Sequence, residues 1–145
     1  MDTSYLWLKL LHIFVAIIAL GSSAGLGAVL EFYGNDAAHG WFVLRAVERM
    51  VVLVVLPGYI LVLVTGLWMA SLGGALAARW IQWALTVWVA GLVCLSASLA
   101  ALKMQRRLHT TGGVAYARYA LASRASGAAF GLAVIVLLYL MVFKP

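Results

Sequence analysis

The sequence predicts an all-α fold, an integral membrane four-helix bundle with antiparallel up-down order, from three observations. Of the 145 residues, 66% are hydrophobic and 10% are charged, whereas a soluble domain is about half apolar and about a quarter charged. Four apolar runs are long enough to cross a bilayer. The basic residues collect between these runs, as they do on one side of a membrane. This composition does not fit a soluble enzyme, a disordered chain or a disulfide scaffold.

Four stretches of the chain have the length and apolar character of membrane-spanning helices. Crossing ~30 Å of hydrocarbon takes about 20 helical residues at ~1.5 Å each. We expect one transmembrane domain over residues 1–145, with spans at about 5–30, 50–72, 80–102 and 125–143. Lipid offers backbone polar groups no partner, so each span satisfies them internally as a helix.

The first two spans have recognisable ends. Span one is expected to begin near Tyr5, with the Lys9 ammonium reaching toward the headgroups. Span two should end at Gly73-Gly74. The short link from there to Arg79 makes spans two and three antiparallel neighbours.

Span two also carries two local predictions. Pro57-Gly58 should kink or locally open the helix, because proline lacks the N–H that an intrahelical bond needs. Just before the span, Arg45, Glu48 and Arg49 stand at helical spacings that allow a local ion pair.

The distribution of lysine and arginine predicts the orientation. Loops 31–49 and 103–124 carry seven of these residues, and the opposite side carries three. By the positive-inside rule, both loops face the cytoplasm and both termini lie on the outer side of a bacterial inner membrane. Anionic lipid then accounts for the net charge of +6, and nucleic acid is not an expected partner. Segment 114–124 is either an interfacial helix or an early start of span four.

Small residues recur at the spacing of helix-packing motifs. Gly21 and Gly25 form GxxxG in span one, and Gly127 and Gly131 do so in span four. Such pairs let backbones approach closely in lipid. They predict contacts either within the bundle or between copies in a homo-oligomer. Cys94, the single cysteine, has no disulfide partner and is expected to pack as a small residue.

His12 is the candidate functional residue, because it is the ionisable residue well inside a span. Ionisable groups at this depth indicate a site by default, and neutral imidazole is a common ligand of haem iron and of metals. The alternative is a neutral structural histidine bonded to a neighbouring helix. His39 and His109 belong to the opposite end, so two histidines of one bundle are not expected to share a haem.

The expected depth of each residue in the membrane limits which side chains can contact His12. Met69, Gln82 and Met141 are all expected at the outer level of the bundle. Three forms of haem b site are therefore open: a His–Met haem, a five-coordinate haem and a haem shared between subunits. Gln82 could instead orient the imidazole, and both methionines also suit plain packing. No nucleotide-binding or hydrolase motif is present.

Three pieces of the chain carry a resemblance to known families: YLWLKLLHI at 5–13, ERMVVLVVLPGYILVLVTGLWM at 48–69, and Trp80 at the opening of span three. Over about residues 5–108 this order resembles an uncharacterised family of small bacterial predicted integral membrane proteins. More distantly, it is similar to the HemJ-type protoporphyrinogen oxidases and to the membrane domain of CopD copper-resistance proteins.

The two distant resemblances imply different ligands for His12. The HemJ-type proteins imply haem b, but they carry a functional lysine early in the third helix, and WIQWAL at 80–85 contains none. The resemblance therefore does not carry the oxidase activity over. CopD implies a metal at His12, although no cluster of methionine and histidine accompanies it.

Two classes of function follow. In the first, haem b at His12 serves electron transfer or porphyrin redox chemistry. In the second, the chain is a non-enzymatic membrane module for assembly, or for handling a small solute or metal, and His12 is structural. Substrate and pathway stay open.

Overall fold

The computed structural model, which describes residues 3–36 and 38–145, is built from helices. They are α1 (Thr3–Tyr33), α2 (Gly40–Met50), a π-helical segment (Val51–Val55), α3 (Leu56–Leu72), α4 (Arg79–Arg107) and α5 (Gly113–Phe143). α2, the π segment and α3 follow one another without a break, so they form one long span. The described residues contain no β-strand, and the predicted all-α fold is confirmed.

Four helical stretches are long and apolar enough to cross a membrane, as predicted: Thr3–Tyr33, Gly40–Leu72, Arg79–Arg107 and Gly113–Phe143. Their 29 to 33 residues extend about 44–50 Å, which exceeds the ~30 Å of hydrocarbon. Each helix is therefore longer than a perpendicular crossing of the hydrocarbon requires. For this reason the helices outrun the predicted spans, and segment 114–124 is the early start of the fourth span.

The two ends of the bundle differ in their connections and charge. The end with connections 34–39 and 108–112, which we call the basic end, carries seven of the ten Lys and Arg residues. The other end, which we call the terminal end, carries both chain termini and connection 73–78.

The helices pack as two antiparallel pairs. α1 lies along α3 and the π segment, and α5 lies along α4. α2 contacts α4 near the basic end. Between the pairs lies a core of buried side chains: Val55, Tyr59, Leu95, Phe130 and Leu137.

Tyr59 of α3 and Trp88 of α4 join the two pairs. Their rings stack with centroids 5.1 Å apart and planes 8° from parallel. The Tyr59 hydroxyl donates to the Trp88 carbonyl at 3.1 Å, and Trp88 Nε1 donates to the Tyr59 carbonyl at 3.2 Å. Gly91 leaves the room that the hydroxyl occupies. Both polar groups are thus satisfied inside an apolar core.

A widened turn accommodates the proline of the second span. The π segment Val51–Val55 precedes Pro57, and the Leu56 N–H bonds to the Val51 carbonyl five residues back. Proline removes a backbone donor, and π adjustments are one way in which membrane helices satisfy the freed groups. The local opening predicted at Pro57 therefore occurs, as a π turn just before it.

The prediction of a local ion pair for Glu48 is wrong. Glu48 Oε2 lies 2.7 Å from Arg106 Nε on α4, and among the described residues neither Arg45 nor Arg49 pairs with it. The reason is the direction of the α2 face. Leu44, four residues earlier, is fully buried, so Glu48 shares the face that packs toward α4.

The two GxxxG pairs differ in their surroundings. A Cβ added at Gly127 would lie 3.5 Å from Ser98 Oγ on α4, so this glycine serves contact within the bundle. Around Gly21, Gly25 and Gly131, a Cβ would meet no atom within 4 Å among those of the described chain.

Candidate functional site

His12 meets α3 through a hydrogen bond to Thr65. The imidazole Nδ1 lies 2.7 Å from Thr65 Oγ1. His12 is half-buried on α1, whereas Thr65 is only 5% exposed. The candidate residue is therefore attached to its neighbouring helix.

The threonine hydroxyl fixes which imidazole nitrogen carries the proton. Thr65 Oγ1 lies 2.7 Å from the Leu61 carbonyl and donates its single proton there, as helical threonines commonly do. Its oxygen then accepts from His12 Nδ1–H. The tautomer assigned in this way leaves the Nε2 lone pair available. Within the described part of the chain, Nε2 has no hydrogen-bond partner.

Two glycines of α3 allow the close approach that this bond needs. A Cβ added at Gly66 would lie 3.2 Å from His12 Cε1, and one at Gly58 would lie 2.5 Å from the Ala19 Cβ. Small residues permit such approach in lipid, where no hydrophobic force draws helices together. His12 and Ala19 thus lie on the face of α1 that packs on α3.

The other predicted site residues also lie at the terminal end, on three different helices. Met69 is half-buried on α3, four residues beyond Thr65 and one turn nearer that end. Gln82 is exposed in the first turn of α4, and Met141 is half-buried in the last turn of α5. The hydrogen-bond partner of His12 in this structure is Thr65 rather than Gln82. Met69 shares a helix with that partner, whereas Gln82 and Met141 belong to the other helix pair.

The two remaining histidines lie at the basic end. His39 Nδ1 is 2.7 Å from Asp36 Oδ2, and the His109 ring lies edge-on to Tyr116 at 5.8 Å. Hydrogen bonding by His39, and then by the Ala38 N–H, lowers the pKa of Asp36. In residues 3–36 and 38–145, no group of three His, Cys, Asp or Glu side chains is placed to hold a metal ion.

A buried polar network at the basic end was not singled out from the sequence. Ser123 Oγ donates to Gln105 Oε1 at 3.1 Å, and Gln105 Nε2 donates to the Tyr116 hydroxyl at 3.3 Å. That hydroxyl lies 3.2 Å from the Gly34 carbonyl, to which it donates. The network ties α4 and α5 to the end of α1. In the sequence, Gln105 stands among the basic residues Lys103, Arg106 and Arg107 in the last turns of α4, so no signal marked it as a buried residue.

A groove separates α1 from α5 toward the basic end, because α1 packs on α3 instead. It has a volume of about 660 Å³ and mostly apolar walls, with the Glu31–Arg124 ion pair at 3.1 Å as part of its lining. Among the described residues, no histidine, methionine or cysteine lines it, so these residues offer the groove no ligand for haem iron. His12 and the groove are separate features.

The fold and these sites define an integral membrane protein with four spanning helices. Residues 6–145 match the model of the family described as Predicted integral membrane protein (DUF2269), and the chain belongs to that family. No curated protein and no solved structure matches it. The resemblance to HemJ-type oxidases and CopD proteins stays a prediction.

Proposed function

We propose that the chain binds haem b through Nε2 of His12. The observation that carries the proposal is the 2.7 Å bond between His12 Nδ1 and Thr65 Oγ1. Histidine ligands of metals generally donate their other ring N–H to a nearby acceptor, which fixes the tautomer and the ring orientation. Thr65 supplies such an acceptor, so the donor set at this position fits an axial haem ligand.

The residues of the proposed haem site have different roles. Thr65 positions the imidazole, and Gly66 leaves the room that the ring itself occupies against α3. Met69, one turn away on the same helix as Thr65, is the first candidate for a second ligand. Met141 and Gln82 are the alternatives from the other helix pair. When bound, haem b supplies one-electron transfer.

We further propose that the protein transfers electrons and does not oxidise protoporphyrinogen. Residues 80–85 contain no lysine at the place where the HemJ-type resemblance would require one. Expression of this chain is therefore expected not to rescue a strain that lacks protoporphyrinogen oxidase. Growth of that strain without added haem would contradict this part of the proposal.

The optical spectrum of the purified protein tests the haem proposal. Protein from haem-replete cells is expected to show a Soret band that shifts on reduction with dithionite. His12→Ala should abolish the band while helix content is unchanged, and His109→Ala, at the basic end, should retain it. Met69→Ala and Met141→Ala identify the second ligand by the change in the reduced spectrum. A folded, colourless protein, or a band that survives His12→Ala, would overturn the proposal.

A second candidate is an assembly module in which His12 is structural. Only 6% of the most apolar stretch of α1 is buried, against 17–28% for the other spans. Gly21 and Gly25 lie on the exposed part of this helix and would accept a Cβ without contact. Glycines at this spacing suit the close approach of a second copy.

Oligomeric state tests the second candidate. Gly25→Leu should convert a dimer in mild detergent to a monomer, because the added side chain separates the helices. Ala97→Leu, which places the same leucine side chain on the exposed side of α4, should leave the dimer intact. A wild-type protein that is monomeric in lipid nanodiscs would exclude assembly through α1.

A further inference from the structure

We propose that a pocket at the basic end binds a phosphate group, carried either by a membrane lipid or by a free phosphate ester. The pocket lies between α2 and α4 and has a volume of about 210 Å³. Its lining consists of Arg45, Glu48, Arg49 and Arg106. Four charged side chains thus surround one small space.

The charges in this pocket do not balance. Glu48 Oε2 lies 2.7 Å from Arg106 Nε, so its carboxylate is already paired. Among the ion pairs of the described residues, none gives Arg45 or Arg49 a carboxylate within 4.0 Å. Three guanidinium groups against one carboxylate leave two positive charges without a protein partner.

A tryptophan beside the pocket points to the depth of lipid headgroups. The Arg45 guanidinium lies 5.1 Å from the centre of the Trp41 ring, and Trp41 is 42% exposed. Tryptophan at the end of a spanning helix marks the membrane interface. Stacking on that ring holds Arg45 at the level where phosphate groups occur, and a cation there gains from the aromatic face.

The chemistry of these side chains selects phosphate over other anions. A guanidinium group is always charged and presents paired donors that match two phosphate oxygens. A phosphate monoester carries about −1.5 to −2 charges near neutral pH, which balances the unpaired charge of the pocket. Glu48 offsets the charge of one of the three guanidinium groups, so the remaining charge matches one such group. We therefore expect a monoester headgroup, as in phosphatidic acid, to bind more tightly than a diester.

Native mass spectrometry of the full-length protein in detergent, titrated with phosphatidic acid, tests the proposal. Arg45→Gln and Arg49→Gln should each weaken binding about tenfold, the effect of one lost charge-assisted contact. Arg118→Gln is the matched control, because Arg118 is exposed at the same end and lies outside the pocket. It should change binding less than about twofold. Arg49→Lys, which keeps the positive charge but lacks the paired donors of a guanidinium group, should weaken binding as well.

Two further binding measurements identify the source of the phosphate group. Phosphatidylcholine, the zwitterionic comparison, should bind at least about tenfold more weakly. Inorganic phosphate, titrated calorimetrically, should bind with the same dependence on Arg45 and Arg49 if the ligand is a soluble ester. Its failure to bind, with phosphatidic acid still bound, assigns the site to lipid. Equal weakening by Arg118→Gln, or unchanged binding in the Arg45→Gln/Arg49→Gln double variant, would overturn the proposal.

Discussion

At the scale of single residues, Thr65 determines what the His12 imidazole can do. Its hydroxyl proton goes to the Leu61 carbonyl, so its oxygen can only accept from His12 Nδ1–H. The imidazole is thereby attached to α3 by one nitrogen and keeps a lone pair on the other. This arrangement suits the proposed ligand role and also links two helices, so the contribution of the His12–Thr65 bond to stability can be measured separately.

A double-mutant cycle measures the structural part of the His12–Thr65 bond. His12→Ala and Thr65→Val should each lower the free energy of unfolding, with a coupling energy of about 0.6–1.7 kcal/mol, the range found for hydrogen bonds between membrane helices. The measurement is SDS-induced unfolding in mixed micelles, followed by tryptophan fluorescence. Purely additive effects would mean that the bond does not contribute to stability.

The Asp36–His39 contact predicts a pH dependence outside the membrane. The hydrogen bond from His39 lowers the pKa of Asp36 below its ordinary value of 3.8. A lowered carboxyl pKa stabilises the loop at neutral pH, and this contribution is lost as the pH falls through the lowered value. His39→Ala should raise the pKa of Asp36 toward 3.8 in a carbon-13 NMR titration, with Asp36→Asn assigning the signal. An unchanged pKa would show that the Ala38 N–H alone accounts for the shift.

At the scale of elements, α1 has two faces with opposite roles. One face places Ala19 and His12 against the glycines of α3. Residues two apart on a helix differ by about 200°, so Gly21 lies roughly opposite Ala19, and it is exposed. Glycines of α3 therefore allow close packing between α1 and α3, whereas Gly21 lies on the exposed face of α1.

Alanine substitutions should distinguish the glycine in the α1–α3 contact from the exposed glycine of α1. Gly58→Ala places a Cβ 2.5 Å from the Ala19 Cβ, and such overpacking should cost about 1–3 kcal/mol of unfolding free energy. Gly21→Ala meets no atom within 4 Å and should be neutral or stabilise the helix by roughly 0.5–1 kcal/mol. SDS unfolding of both variants provides the comparison. A Gly58→Ala protein as stable as wild type would contradict the tight α1–α3 contact.

Sequence patterns predicted where the helices form better than which side chains pair between helices. Apolar runs fix where helices form, because lipid forces backbone bonds inside each span. The pairing of Glu48 with Arg106, and of His12 with Thr65, depends on which faces meet. Between uniformly apolar helices the hydrophobic pattern carries little information about facing, so Thr65 was not identified from sequence and Gln82 was considered instead.

At the scale of the whole molecule, charge is distributed unevenly along the bundle axis. Seven Lys and Arg residues lie toward the basic end and three toward the terminal end. At the basic end, the proposed phosphate site and the Gln105–Ser123 network lie together, whereas His12 and both termini lie at the other. Topology in the membrane therefore decides which compartment each site faces, and the positive-inside rule predicts the cytoplasm for the basic end.

Labelling of single cysteines tests this topology. In a Cys94→Ala background, Ser4→Cys and Ala77→Cys at the terminal end, both exposed, should react with a membrane-impermeant maleimide added to intact spheroplasts. Thr110→Cys, in the connection at the basic end, should react only after lysis, because the positive-inside rule predicts that the end with seven basic residues faces the cytoplasm. The reverse pattern would place His12 near the cytoplasmic face. A haem bound there would exchange electrons with cytoplasmic partners, whereas in the predicted topology the proposed haem would meet donors or acceptors on the outer side.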